Sequence, residues 1–155
     1  MTDLDLFDIA AEIREKAKVG YLATVDENGF PHIRAVDNLI CPKKWPHAME
    51  FLKSLEDKKS VYISTNTSSI KFAQIKNNDK VAIYYCIPDE FKGIMIQGLI
   101  KIINDISFKE KIWCKEWTMY YPKGFTDPDF TILKIEPKYL KSWYKSGKHE
   151  LKINE

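Results

Sequence analysis

The sequence predicts a mainly β protein: a small antiparallel barrel, or a highly twisted sheet, with helices at its periphery. Three observations carry this. Apolar β-branched runs follow one another across short turn signals, above all Asp26-Glu27-Asn28-Gly29, a strong hairpin signature. Strands and helices do not alternate regularly, which argues against a doubly wound parallel sheet. With 155 residues and no internal repeat, linker or low-complexity stretch, the chain makes one domain, residues 1–155, with a single real core. Closing a sheet of about six strands into a barrel removes its exposed edges.

The elements follow in order. "DLDLFDIAAEIREKA" (3–17) spaces Leu6, Ile9, Ala10, Ile13 and Ala17 as one helical face, with acids early and bases late. "VGYLATVDENGFPHIRAVDNLI" reads as two strands around the 26–29 turn. Pro31 places the second strand where a ladder donor can be lost. "PHAMEFLKSLED" offers Met49, Phe51, Leu52 and Leu55 behind Pro46, a helix of about three turns. A strand near 60–65, a helix near 69–76, and strands at 80–87 and 92–104 come next, the last two joined through "PDEFK". "SFKEKIWCKEWTMYY" begins with Ser107 and has Glu110 three residues later, a capping box. On that helix Trp113 and Trp117 at i, i+4 read as core packing. After "PKGFTDPD" breaks the chain, "FTILKIEPKYLKSWY" supplies the final strand, with Pro137 beyond its core.

Composition bounds the function. Hydrophobic content of 45% and charged content of 30% are ordinary for a globular protein. No apolar run reaches the length of a membrane span, and the acidic, amphipathic N-terminus is unlike a secretory signal. A net charge of +2 with interspersed signs gives no electrostatic case for nucleic acid. Cys41, Cys86 and Cys114, with no C-x-x-C pair, read as reduced and mostly buried thiols of a cytoplasmic protein. His32, His47 and His149 lack a second ligand at metal spacing. No G-x-S-x-G, H-E-x-x-H or Cys-His pattern supports hydrolase chemistry.

One stretch raises a chemical question. "STNTSSIK" (64–71) ends a strand in hydroxyls and an amide and follows them with Lys71. Such a turn can cap a strand-to-helix connection, or it can cradle an anion with helix N-terminal amides and hydroxyls. Arg34 lies in the middle of an apolar strand, where an arginine ordinarily faces solvent. His32 shares its face by alternation. Arg34 and Lys71 together with the hydroxyls make an anion site a serious alternative to the capped turn. The lysine-rich end (Lys138, Lys141, Lys145, Lys148, Lys152) reads as a solvated face.

"GYLATVDENGFPHIRAV", then "STNTSSIKFAQIKNNDKVAIYY" and "GIMIQGLIKIIND", resembles the pyridoxamine 5′-phosphate oxidase-like, FMN-binding split-barrel family. The ending "YYPKGFTDPDFTILKIEPKYLKSWY" is similar to its general-stress-protein branch. The resemblance spans about residues 15–145 and implies a six-stranded antiparallel split β-barrel that binds FMN as a homodimer, with the flavin between subunits. The family's R-x-V strand matches Arg34-Ala35-Val36, and its T-N-x-[GS]-S-x-K turn matches Thr65 to Lys71. By that resemblance Arg34, Ser69 and Lys71 hold the FMN phosphate, and Ser64 and Thr65 lie along the ribityl chain or ring edge. Ala35, Val36 and Ile70 are cofactor-binding positions of the same motifs. Trp143 matches a tryptophan beside the flavin, and Gly93 falls where the oxidases have a flavin-contacting glutamine.

The sequence also departs from the oxidases. Beyond the tryptophan they carry an R-L-H-D-R-like stretch that holds pyridoxal phosphate. Here the chain reads "KSGKHELKIN", with His149 in place of the first arginine. Leu39 and Ile70 replace further basic residues. The resemblance therefore implies an FMN-dependent oxidoreductase acting on a small-molecule donor or acceptor, without vitamin B6 phosphate oxidation. A non-catalytic flavin-binding stress or redox module is the alternative. Haem or a deazaflavin in the same barrel is a further one. No residue stands out as a catalytic acid or base.

Overall fold

The computed structural model describes residues 3–144 and 147–153, so Lys145 lies outside the described residues. Helix α1 (Asp3–Lys16) leads into β1 (Val19–Val25) and β2 (Pro31–Asp37). Their hairpin forms because Asp26 Oδ1 accepts from the Asn28 and Phe30 amides, both at 2.9 Å, and Gly29 takes φ +85°. Helix α2 (Pro46–Ser54), strand β3 (Val61–Asn66), helix α3 (Ile70–Asn77), and strands β4 (Lys80–Ile87) and β5 (Lys92–Ile103) follow. The chain ends in α4 (Ile106–Ile112), β6 (Phe130–Tyr144) and β7 (Gly147–Lys152).

The sheet runs β2-β1-β4-β5-β6-β3, with every neighbouring pair antiparallel. These are the six strands of the expected barrel. β2 and β3, the two ends of this path, approach each other without forming a ladder. β6 is long enough to serve two neighbours on one edge: residues 130–135 pair with β3 and residues 139–144 with β7. A register shift at Gln97/Gly98 lets β6 continue through Pro137, leaving Lys138 as the extra residue.

The inner face of the curled sheet buries Leu22, Ile63, Ile83, Ile94, Leu133 and Leu140, and α1 closes it with Leu6, Ile9, Ala10, Ile13 and Ala17. A second core lies on the other side of β3 and β6, where Leu39, Leu52, Tyr62, Trp117 and Phe130 are buried. None of the described helices is long and apolar enough to cross a membrane.

Several local expectations need correction. α4 is capped by Asp105, whose Oδ1 accepts from Ser107 N at 2.9 Å, so Ser107 lies inside the helix and forms no capping box. That helix stops at Ile112 and Trp117 belongs to a separate 3₁₀ turn, Lys115–Met119. The two indoles still meet, edge to face at 5.8 Å, with Trp117 buried. α2 spans nine residues, fewer than three turns, and it buries Ala48 and Leu52, while Met49, Phe51 and Leu55 are only half-buried. Cys114 alone is fully buried; Cys41 and Cys86 are half-buried. β7 was not expected: its lysines stay on the solvated face, but the segment pairs with β6.

Candidate functional site

The hydroxyl-rich turn divides its labour residue by residue. Its outer half is tied to the segment before β6. Asp129 Oδ1 accepts from Ser68 N at 2.8 Å and its Oδ2 from Asn66 Nδ2 at 2.7 Å. Thr67 N donates to Asp129 O at 2.8 Å, and Thr67 Oγ1 donates to Pro128 O at 2.8 Å. The bonds from Ser68 and Asn66 hold the Asp129 carboxyl below its ordinary range, the Ser68 amide contributing most. The inner half faces the barrel mouth. Ser69 caps α3, its Oγ accepting from Phe72 N at 3.3 Å, and it lies 3.3 Å from the Thr65 hydroxyl.

Arg34 does not take the solvent-facing position usual for a lone strand arginine. Its guanidinium turns inward at the mouth and donates to Leu22 O (3.2 Å), Thr24 Oγ1 (2.7 Å) and Gln74 Oε1 (3.3 Å). All three acceptors are uncharged. Across from it, the α3 residue Lys71 has its ammonium pushed toward the neutral form, first by burial and then by Arg34 itself. Among the described residues neither cation has a carboxylate within ion-pair distance. Two adjacent, uncompensated cations beside a hydroxyl and the free amides of a helix's first turn are arranged to bind an anion. The cleft they line, ≈ 430 Å³, also takes in His32, Ile33 and Ile70. His32 shares the Arg34 face as alternation required, but its Nε2 is engaged by Asp26 Oδ2 at 2.9 Å. Among the described residues no His, Cys, Asp and Glu group is built to hold a metal ion.

A second, larger cleft of ≈ 690 Å³ lies at the far ends of β4, β5 and β6, lined by Tyr84, Cys86, Phe91, Gly93, Trp143 and Lys148 among others. Gly93 pairs with Trp143, and the Trp143 ring meets Tyr84 edge to face at 6.2 Å. A Cβ at position 93 would lie 2.2 Å from the Tyr84 hydroxyl. Tyr84 therefore occupies the room that a longer side chain at 93 would need.

The structure brings Arg34, Ser69, Ile70 and Lys71 to one cleft and Gly93 with Trp143 to another. Arg34 stands opposite Leu22, Ile83 and Ile96 across the ladders, three strands from β5 and three residues along it from Gly93. That is roughly 17 Å of sheet. Thr65 touches the first cleft through Ser69, whereas Ser64 lies on the opposite face of β3. Ala35 faces outward, and Val36 is core. Leu39 packs in the second core and adds nothing to the cleft, while Ile70 is 72% exposed at its rim. Sequence reasoning missed Thr24, Gln74, Tyr84 and Phe91. Thr24 sits opposite His32 in the hairpin register, which would have revealed it. Gln74 follows from helical spacing after Lys71 (i, i+3), but only the fold brings it to Arg34.

The chain matches the family model for pyridoxamine 5′-phosphate oxidase over residues 7–144. No curated protein matches it. Among solved structures it is similar to a Clostridium acetobutylicum protein related to general stress protein 26 of B. subtilis. That pair is 28% identical with a TM-score of 0.75, covering 98% of this chain and 97% of the other. General stress protein 26 from Bacillus anthracis is 20% identical with a TM-score of 0.71, covering 96% and 98%. A pyridoxamine 5′-phosphate oxidase-related, FMN-binding protein from Nostoc punctiforme is 16% identical with a TM-score of 0.64, covering 99% and 96%. An F420 reductase is 22% identical with a TM-score of 0.54, covering 83% and 93%. With its split-barrel fold and a family match across nearly its whole length, the chain belongs to the pyridoxamine 5′-phosphate oxidase family.

Proposed function

We propose that this protein binds FMN through Arg34, Lys71 and Ser69 at the phosphate, and that it works as a flavin-dependent oxidoreductase on a small molecule. The observation that carries this reading is the pair of cations in one cleft, neither matched by a carboxylate. A terminal phosphate with nearly two negative charges would relieve their mutual repulsion and accept from both. An FMN-binding protein of the same fold supports the choice of ligand. Bound flavin would supply hydride chemistry, and this chain's residues position it and exclude water. The free thiols fit a reducing, cytoplasmic setting.

The protein acts as a homodimer in this reading. Arg34 shares the inner sheet face with Leu22, Ile83 and Ile96, whereas Gly93, three residues from Ile96 on β5, lies on the opposite face. One chain therefore does not present both clefts to one flavin, but a second copy can bring its Trp143 end to the first chain's Arg34 end. The outer face of the β1–β2 hairpin supports this: Tyr21 is 41% exposed and Ile33 71%, with Ala35 directly opposite Tyr21 in the ladder. Vitamin B6 phosphate oxidation is excluded from the proposal. Lys148 and His149 are consecutive on β7 and point to opposite faces, and Glu150 stands between Lys148 and Lys152 on theirs. A dianion would meet separate point charges and no bidentate fork.

The test is titration of the purified protein with FMN, followed by flavin fluorescence, with light scattering on the loaded protein. One FMN per chain, at twice the 18.1 kDa chain mass, and NADH- or NADPH-driven reduction of an added acceptor are expected. Absence of FMN binding would overturn the reading. Tight binding without turnover would leave a flavin-binding module in its place.

A further inference from the structure

Phe91 ends the β4–β5 turn in a conformation that suits glycine. Its φ of 53° lies in the left-handed region, and its amide donates to Pro88 O at 3.1 Å to close the turn. The large side chain gains nothing from the fold in return: it is 86% exposed. A bulky residue with positive φ is an outlier, and such outliers concentrate at binding sites. This one lines the 690 Å³ cleft together with Tyr84 and Trp143, whose rings meet edge to face, and with Gly93, over which the Tyr84 hydroxyl lies. That volume is typical of a small-molecule site.

The charges at the rim are unequal. Lys92 is neutralised by Glu90 at 3.0 Å and Glu12 at 3.6 Å, and its ammonium lies over the Tyr144 ring. Lys148, exposed on β7, has no carboxylate within ion-pair distance among the described residues.

We propose that this cleft binds a planar aromatic molecule bearing a single anionic group, with Phe91 as its outer wall and Lys148 as its charge partner. Four aromatic side chains, Tyr84, Phe91, Trp143 and Tyr144, line the cleft, and they favour a flat π-system in offset or edge-to-face contact. Of the two lysines that line the cleft, Lys148 alone has no carboxylate partner among the described residues, which favours a monoanion over a dianion. Lys141, over the Trp143 ring at 5.4 Å, is not among the lining residues. The inference deepens the reading above and rests on it for the ligand's purpose: the Gly93–Trp143 wall is the flavin side, and the Phe91 wall is the substrate side.

The probe is 2-naphthoate, titrated calorimetrically into the full chain with and without FMN. Controls are naphthalene-2-carboxamide, which lacks the charge, and cyclohexanecarboxylate, which lacks the plane. The expected result is that naphthoate binds at least ten times more tightly than either control. Phe91→Gly and Phe91→Asn should weaken it tenfold or more with no fall in melting temperature, since both residues accept positive φ. Lys148→Gln should remove the preference for naphthoate over the carboxamide. Equal binding of all three compounds, or unchanged naphthoate affinity in both Phe91 variants, would overturn the proposal. So would a fall in melting temperature, or in mass to a single chain, in both variants, since Phe91 would then serve folding or the subunit interface. Naphthoate binding in a protein that takes up no FMN would support the cleft and sink the flavin reading alone. FMN uptake with no naphthoate binding would do the reverse.

Discussion

Removing Lys71 should separate the fold's needs from the ligand's. In the ligand-free protein this ammonium is a liability: burial and the neighbouring Arg34 both push it toward the neutral form. Its folded pKa is thus below the unfolded value near 10.5, and the folded state holds fewer protons between the two. Stability is penalised in full at neutral pH, and the penalty is relieved as pH rises through the folded pKa. Lys71→Ala removes the penalty, so the ligand-free variant should melt at or above the temperature of the parent at pH 7. The difference should shrink as pH approaches 10.5. FMN affinity should move the other way. One charge-assisted contact is worth about 1.5–3 kcal/mol, a loss of about ten- to a hundredfold in Kd.

Arg34→Ala makes the contrast. It should weaken FMN comparably, but it also strips Thr24 Oγ1, Gln74 Oε1 and Leu22 O of a donor. Thr24 is fully buried but keeps its own hydroxyl bond to Gln74 Oε1 at 2.5 Å, so the ligand-free variant should lose about 0.5–1.5 kcal/mol of stability. Flavin fluorescence titrations and thermal melts, each with and without FMN, read all four quantities. Unchanged FMN affinity in both variants would refute the anion site. A ligand-free Lys71→Ala protein much less stable than the parent would refute the claim that this lysine is held against the fold's interest.

Gly98→Ala should destabilise by about 2 kcal/mol or more, because its Cβ would lie 2.2 Å from the Glu136 carbonyl oxygen at the bulge; urea denaturation measures it, and a change within error would show that the bulge relaxes freely. Asp129 stabilises the 66–69 turn most above its unfolded pKa near 3.8, and this is lost as pH falls through its lower folded value. Asp129→Ala should therefore be less stable than the parent at pH 6, with the gap closing on acidification; a pH-independent gap in denaturant melts would contradict the latch. Pyridoxine 5′-phosphate with saturating FMN should release negligible hydrogen peroxide; turnover on the order of 1 s⁻¹ or faster, within the ordinary enzyme range, would show that the lysines near the C-terminus converge after all.

Much of this molecule was legible because local chemistry and fold agree. The 26–29 turn, Pro31 at a strand start, the α1 face and the Ser69 cap all formed where side-chain type required them. The misses share a cause: a distant partner decided the outcome. Asp105 outcompeted Ser107 as a cap because both can accept from early helix amides, and only the exit from β5 selects between them. β7 was hidden by its lysines, although Lys148, Glu150 and Lys152 alternate with His149 and Leu151 as an edge strand should. At the site, residue types pointed to an anion, but the roles within "STNTSS" could not be read locally. Asp129 claims Asn66 and Ser68 across 61 or more residues of chain, and that leaves Ser69 and Lys71 for the cleft.

Strand β6 explains why, under the proposed function, one chain would carry two half-sites. Its first residues hold the cradle: β6 residue Thr131 meets the Thr67 hydroxyl at 2.5 Å, and Asp129, just ahead of the strand, latches the turn. At its other end Trp143 lines the second cleft. Thirteen residues of strand separate Phe130 from Trp143, roughly 43 Å along the extended chain. The Lys138 bulge shortens this through space and aims the Trp143 end. A continuous ladder on one edge, with β3 and β7 dividing the other, makes β6 a stiff spacer. Neither half-site can swing to the other within the chain. In the homodimer proposed above, a two-fold axis would solve this geometry: the cation end of each subunit would meet the Trp143 end of its partner, completing two sites at once. Under that proposal the repulsion between Arg34 and Lys71 and the strain at Phe91 would have one explanation, since each is a cost the isolated chain bears at a surface the proposal fills.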